Sequence, residues 1–278
     1  MLVTMKHILQ IAEARKFAVG SFNTTGLECI EAVLGAAEEL NVPVILMHAQ
    51  VHEEMGLCRL DRIGRVMRLL AEQATVPVSV HLDHGTDIAY IRRALELGFT
   101  SVMYDGSALP YEENLANTCA VVELAARYGA SVEAEIGSMG VRDHAPDDPD
   151  ALYTDPAAAR RFTAASGIDA LACAFGTVHG LYRRQPKLDL ARLAEIDRLV
   201  DLPLVMHGGS GISDADYRAV IARGVRKINY YTYMAKAGGS AAANCPDKLY
   251  FHDIARCATA AMQENVRHAM RVFCGEEA

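Results

Sequence analysis

The chain alternates eight times between a short β-branched run and a longer stretch with helical periodicity. Strand candidates fall at 18–23, 43–49, 78–83, 101–105, 131–136, 170–174, 204–207 and 225–230. Between them, segments 27–40, 61–74, 88–97, 112–128, 156–165, 190–200 and 214–222 repeat apolar residues every three or four positions. Asn41-Val42-Pro43, Thr75-Val76-Pro77 and Asp201-Leu202-Pro203 each end a helix just ahead of a strand, because the residue before proline avoids the helical region. Gly98, Gly129, Gly167 and Gly224 stand where other helices should stop. Such alternation requires a parallel sheet with helical crossovers. Eight units in 278 residues favour closure into a (β/α)8 TIM barrel over an open doubly wound sheet. The absence of a GxGxxG turn after the first strand points the same way.

The expectation is therefore one barrel domain spanning 1–278 with a C-terminal helical extension. In that extension Ile254, Ala258, Met262, Val266, Met270 and Phe273 recur at helical spacing. One or two helices should form there, packed on the barrel or on a second subunit, and a homodimer or homotetramer is expected. The segment 137–153 breaks the rhythm: it is polar, with Arg142, Asp143, His144 and an acidic run at 147–150. A loop of that length on a barrel is read as a lid or a mobile stretch.

A net charge of −8 excludes a nucleic-acid partner, which needs a basic face. It also means that any phosphate site must be built locally, from a metal, helix N-termini and a few arginines. Seven scattered cysteines without a CxxC pair read as reduced thiols of a cytoplasmic protein. Lys6, Glu13, Arg15 and Lys16 interrupt what would be the apolar core of a signal peptide. No run of about 18 apolar residues exists to span a membrane.

In this fold the active site forms at the C-terminal ends of the strands. Three histidines fall there, each followed by glycine: His84-Gly85, His179-Gly180 and His207-Gly208. Alone, each reads as a hydrogen-bonded polar residue. Together they supply three neutral imidazoles and leave an open position, the arrangement of a catalytic zinc site. His81 sits deeper and is read as packed or as a support to the site. Asp83 can anchor an imidazole or carry protons beside a metal-bound substrate; the second role is preferred. His207-Gly208-Gly209-Ser210-Gly211, with the following helix N-terminus capped by Ser213 and Asp216, resembles a phosphate cradle. Arg183 and Arg184 can add positive charge there or simply be solvated.

These stretches resemble the class II, zinc-dependent fructose-bisphosphate and tagatose-bisphosphate aldolases. The matching runs are 21–23, 81–85, 105–107 with 112–114, 133–137, 176–182, 207–212 and 227–229, in family order from about residue 5 to 275. Overall length and the run 152–156 place the tagatose-type (ketose-bisphosphate) branch nearer. The resemblance implies that His84, His179 and His207 bind Zn2+, and that Asp83 exchanges a proton at the bond being broken. It implies near-metal carboxylates at Asp105 and Glu135. Asn23, Gly180, Gly208, Gly209, Ser210, Asn229, Tyr230, Tyr231 and Thr232 would hold the phosphorylated sugar, partly through a monovalent cation, K+ or Na+. The reaction implied is reversible cleavage of a ketose bisphosphate to dihydroxyacetone phosphate and an aldehyde through a zinc-stabilised enediolate. No lysine stands at a strand end in a manner suited to a Schiff base.

Departures from the family concentrate where substrate is touched. The lid glutamate that moves the enediolate proton is matched only by Asp143, one methylene shorter. The second strand ends in Met47-His48-Ala49-Gln50, and Tyr230-Tyr231-Thr232-Tyr233 follows Asn229. Two other readings fit the same residues: a metal-dependent sugar-phosphate epimerase or isomerase, and a non-catalytic partner subunit of an aldolase. An epimerase would release no smaller fragments, and a partner subunit should have lost the metal ligands.

Overall fold

Eight parallel strands close on themselves in sequence order in the computed structural model, which describes residues 1–137, 153–182, 185–246 and 250–275. They are β1 (Val19–Asn23), β2 (Val44–Ala49), β3 (Val78–Gly85), β4 (Ser101–Tyr104), β5 (Ser131–Ile136), β6 (Ala170–Cys173), β7 (Leu204–Met206) and β8 (Val225–Tyr230). The crossovers carry α2 (Leu27–Leu40), α4 (Leu60–Gln73), α5 (Ile88–Glu96), α6 (Tyr111–Ala126), α7 (Pro156–Ser166), α8 (Leu190–Leu199) and α9 (Asp214–Ile221). The expected TIM barrel is thus present. Its helices start on side-chain caps where the sequence offers one: Asp87 accepts from Ala89, Asp155 from Ala158 and Asp189 from Arg192. The helices expected to stop at Gly98, Gly129, Gly167 and Gly224 end within three residues of them.

Three helices were not anticipated. The first, α1 (Met5–Arg15), buries Met5, Ile8, Leu9 and Ala12 against Val19, Ile45, Met47, Ala170, Ala172 and Val205. These are inward-facing residues near the strand starts, so α1 stoppers the N-terminal end of the barrel. A second and larger apolar cluster lies between the strands and the outer helices. The short α3 (Gln50–Glu54) and the α10 helix (Thr232–Ala243) follow β2 and β8 directly and reach the opposite end. The C-terminal extension is α11 (Phe251–Phe273), and its described contacts are with the barrel's own shell. Arg267 pairs with Glu39 of α2 at 2.6 Å, Cys29 lies 3.8 Å from Met262, and the backbone of Ala18 donates to Phe273.

The bracing of α3 bears on the site. Glu53 accepts from the backbone of Leu60 (2.7 Å) and from the Tyr90 hydroxyl (2.8 Å). Since that hydroxyl gives its proton to Glu53, it accepts from His48 Nε2 at 2.8 Å. His48 is fully buried, and burial, aided by His52, pushes its pKa down to about 4. The unfolded chain therefore binds a proton that the fold refuses as pH falls from about 6.5 to about 4. The stability that neutral His48 contributes is complete above that window and declines through it, by at most about 1.4 kcal/mol per pH unit. Urea unfolding at pH 7.5 and pH 5 should show this loss, and His48→Gln should flatten it. An equal loss in the variant would place the acid sensitivity elsewhere.

Candidate metal centre and active site

The open end of the barrel holds a cavity of about 610 Å³. Its lining includes Asp83, His84, Asp105, Glu135, His179 and Asn229. The geometry begins with β3. The strand runs two residues further than expected, to Gly85, and its register with β4 shifts between Leu82 and Gly85. Within this bulge His84 adopts a left-handed backbone with φ of 47°, an uncommon conformation that concentrates at functional sites. Alternation along a regular strand would send Asp83 and His84 to opposite faces. The bulge is what brings both to the mouth.

Three imidazoles converge there. Ligand nitrogens of His84, His179 and His207 all lie within 4.8 Å of one another. The ring centroids of His84 are 4.6 Å from His207 and 5.0 Å from His179. Each of two rings is aimed by a carboxylate. His84 Nδ1 lies 2.7 Å from Asp105 Oδ2, and His207 Nε2 lies 2.8 Å from Glu133 Oε1. Ionised carboxylates only accept, so both of those nitrogens carry the hydrogen. The remaining nitrogens, His84 Nε2 and His207 Nδ1, face each other 3.0 Å apart. A shared proton on His84 Nε2 or a metal ion between the rings satisfies both.

The surroundings also favour positive charge. Burial opposes a charge on His84, but Asp83, the hydrogen bond to Asp105 and the nearby Glu135 outweigh it and hold the ring up at about 10. Burial and the charge of Asp105 push Glu135 up to about 8. Its Oε2 is buried without a hydrogen-bond partner and lies 3.6 Å from His207 Nδ1. His84, Asp105 and Glu135 form a second group with mutually close ligand atoms. The donor set thus fits a divalent cation, through imidazole nitrogen and carboxylate oxygen. Asp105 and Glu135 lie in the same cluster as His84, one of the three histidines.

Asp83 is held from both sides. Asn23 donates to one oxygen at 2.9 Å and Asn229 to the other at 3.0 Å. Burial would raise its pKa, but His84, His207 and Lys227 pull it well below the usual carboxylate range. His81, read as packed, is fully buried with Nδ1 2.6 Å from Ser101 Oγ.

Gly180, Gly208, Gly209, Ser210, Tyr230, Tyr231 and Thr232 all line the same cavity. Gly208 has φ of 63°, and a Cβ there would stand 2.5 Å from the Val178 carbonyl, so only glycine lets the loop approach so closely. The Tyr182 hydroxyl clamps this approach: it donates to Gly208 O at 2.8 Å and accepts from Val178 N at 2.9 Å. Ser213 does cap α9, accepting from Asp216 N at 3.1 Å. However, that capped and acidic first turn is not part of the cavity lining. Besides the short α3, the helix whose N-terminus opens on the cavity is α10, which has no side-chain cap. Its unsatisfied first-turn N–H groups suit an anion. Asp143 and Arg184 lie outside the described residues.

Several residues of the site were not singled out from the sequence. Glu133 orients His207, and its spacing of two from Glu135 was the available signal, since both must share a strand face. His52, on α3, lines the cavity with a buried, unpartnered Nδ1 and packs 5.0 Å from the Tyr231 ring. Gln50 accepts from the backbone of Thr86 at 3.0 Å, tying α3 to the turn after His84.

Residues 3–277 match the family described as fructose-bisphosphate aldolase class-II. The chain is 41% identical to the D-tagatose-1,6-bisphosphate aldolase subunit GatY of Klebsiella oxytoca, covering 99% of this chain and 98% of that one. It is 35% identical to the sulfofructosephosphate aldolase of Alkalicoccus urumqiensis, over 99% and 97% of the two chains. Among solved structures, the YdjI aldolase of Escherichia coli K12 superposes with a TM-score of 0.88 at 33% identity, covering 98% of this chain and 97% of that one. With full-length matches of this kind, the chain belongs to the class II fructose-bisphosphate aldolase family and is a carbon–carbon lyase.

Proposed function

We propose that this enzyme is a metal-dependent aldolase that reversibly cleaves a phosphorylated ketose, of the ketose-bisphosphate type, into dihydroxyacetone phosphate and an aldehyde. The observation that carries the reading is the convergence of three imidazoles: His84 Nε2 and His207 Nδ1 lie 3.0 Å apart, with His179 beside them. Two nitrogens each about 2.0–2.1 Å from a tetrahedral ion lie about 3.3 Å apart, so the spacing suits one divalent ion with an open position. His84, His179 and His207 would hold it, with Asp105 and Glu135 close by. Such an ion, zinc by the chemistry of its donors, supplies Lewis-acid stabilisation of the charge that develops on the ketose oxygens.

The protein's own groups do the rest. In the cleavage direction the Asp83 carboxylate takes the proton of the hydroxyl on the carbon that becomes the aldehyde. The O–H electron pair forms the carbonyl, the neighbouring carbon–carbon bond breaks, and its electrons remain on the triose phosphate as an enediolate. In synthesis the same carboxyl returns the proton to the aldehyde oxygen. Its depressed pKa keeps it ionised at neutral pH, as the cleavage step needs. Asn23 and Asn229 prevent its rotation. Asp143 is the candidate for returning a proton to the enediolate carbon. The glycines at 180, 208 and 209, Ser210, Asn229 and the α10 N-terminus with Tyr230, Tyr231 and Thr232 would seat the phosphate, with Arg184 and a K+ or Na+ ion contributing. The sugars in the relatives' names, a tagatose bisphosphate and a sulfofructose phosphate, support a phosphorylated ketose. A homodimer or homotetramer in the cytoplasm is the expected setting.

His207→Ala should lose most of its bound metal, measured by elemental analysis, and with it turnover. A variant that keeps both would remove His207 from the ligand set. Asp83→Ala should keep its metal while turnover falls by roughly 10²-fold or more; a change within twofold would return Asp83 to a structural role. Chelation should abolish triose phosphate release and added Zn2+ should restore it. Borohydride with substrate should trap no covalent adduct, and an adduct on any lysine would reject the metal-dependent scheme.

A further inference from the structure

The barrel interior holds a lysine that the proposed chemistry does not use. Lys227 is fully buried on β8, two residues before Asn229 and on the same strand face. Its Nζ donates to Asn229 Oδ1 at 2.7 Å and lies 2.9 Å from Glu133 Oε2. Each contact continues to a working group. With its oxygen occupied by Lys227, the Asn229 amide must present Nδ2 to Asp83 Oδ1, 3.0 Å away. The flipped amide would set an oxygen against a carboxylate. On the other branch, Glu133 is fixed through Oε2 while Oε1 accepts from His207 Nε2 at 2.8 Å. That bond chooses the tautomer whose lone pair, on Nδ1, faces His84.

We propose that Lys227 is the positioning residue of this site: one ammonium group sets both the orientation of the Asn229 amide beneath Asp83 and the tautomer of His207. The bland alternative is that Lys227 only neutralises Glu133 in the barrel core, as a buried charge requires. The two differ in what a neutral pair would do. Glu133 itself orients His207, so the reference is Glu133→Gln alone: if neutralisation were the whole role of Lys227, removing both charges together would leave the site no worse than in that single variant. If Lys227 aims two hydrogen bonds, removing both charges restores folding alone. The proposal rests on reading His207 as a ligand and Asp83 as the proton carrier.

The test uses the wild-type enzyme, Lys227→Met, Glu133→Gln, and the double variant Lys227→Met/Glu133→Gln. Lys227→Met alone leaves Glu133 unpaired and can fail to fold; the double variant does not carry that penalty. Three quantities are read on the purified proteins: Zn2+ affinity of the metal-stripped form by competition with a chelating dye, kcat and KM after reloading, and the thermal midpoint. The double variant should melt within a few degrees of wild type. Relative to Glu133→Gln, it should bind Zn2+ at least tenfold more weakly and lose at least tenfold in kcat, with KM for the ketose phosphate changed less than threefold. Zinc affinity and kcat both within twofold of Glu133→Gln would overturn the proposal and leave Lys227 a charge-balancing residue. A collapsed double variant would also overturn it, because the role would then be structural. Wild-type protein that binds no Zn2+ at micromolar concentration would instead remove the metal-centre reading itself.

Discussion

Four carboxylates, Asp83, Asp105, Glu133 and Glu135, are drawn into the upper layers of one barrel, and the rest of the site answers that crowding of negative charge. Buried charges are tolerated only when paired and hydrogen-bonded. Asp83 takes two amides, Asp105 and Glu133 each take an imidazole, and Lys227 sits beneath. Glu135, pushed up by burial and by Asp105, lacks a hydrogen-bond partner at Oε2. Barrel interiors are more commonly filled by branched apolar side chains. Here the apolar filling lies in the lower layers, and the polar residues above are wired to one another across β1, β3, β5 and β8.

The architecture was legible in the sequence because strand and helix repeat with different periods, and eight repetitions leave little room for another fold. The convergence of His84, His179 and His207 followed from a rule about strand ends, without any knowledge of distances. What escaped was structure with little contrast. The small-residue run of α10, Ala235 to Ala243, has no apolar stripe to stand out, and α3 is too short for one. The bulge at Leu82–Gly85 depends on a histidine taking a left-handed backbone, which no residue pattern announces. Glu133 and Lys227 lie on strands buried on both faces, where alternation cannot say which side looks inward. Their partnership across the barrel is a property of closure.

The site divides into groups held by regular structure and groups held by loops. Asp83, Glu133, Glu135, Lys227 and Asn229 sit on strands. His179 and the glycines at 208 and 209 sit on the loops that follow β6 and β7, where Tyr182 ties the two together. The proton exchange proposed for Asp83 tolerates little displacement, and Asp83 sits on a strand. The runs that depart from the family pattern, 47–50 and 230–233, fall where β2 meets α3 and β8 meets α10.

The stopper that α1 makes at the foot of the barrel, with Met5, Ile8, Leu9 and Ala12 filling the space below β1, β2, β6 and β7, has a consequence for traffic. A cylinder shut at one end is a blind well. Whatever descends into it must climb back by the way it came, through the same mouth that the charge network lines.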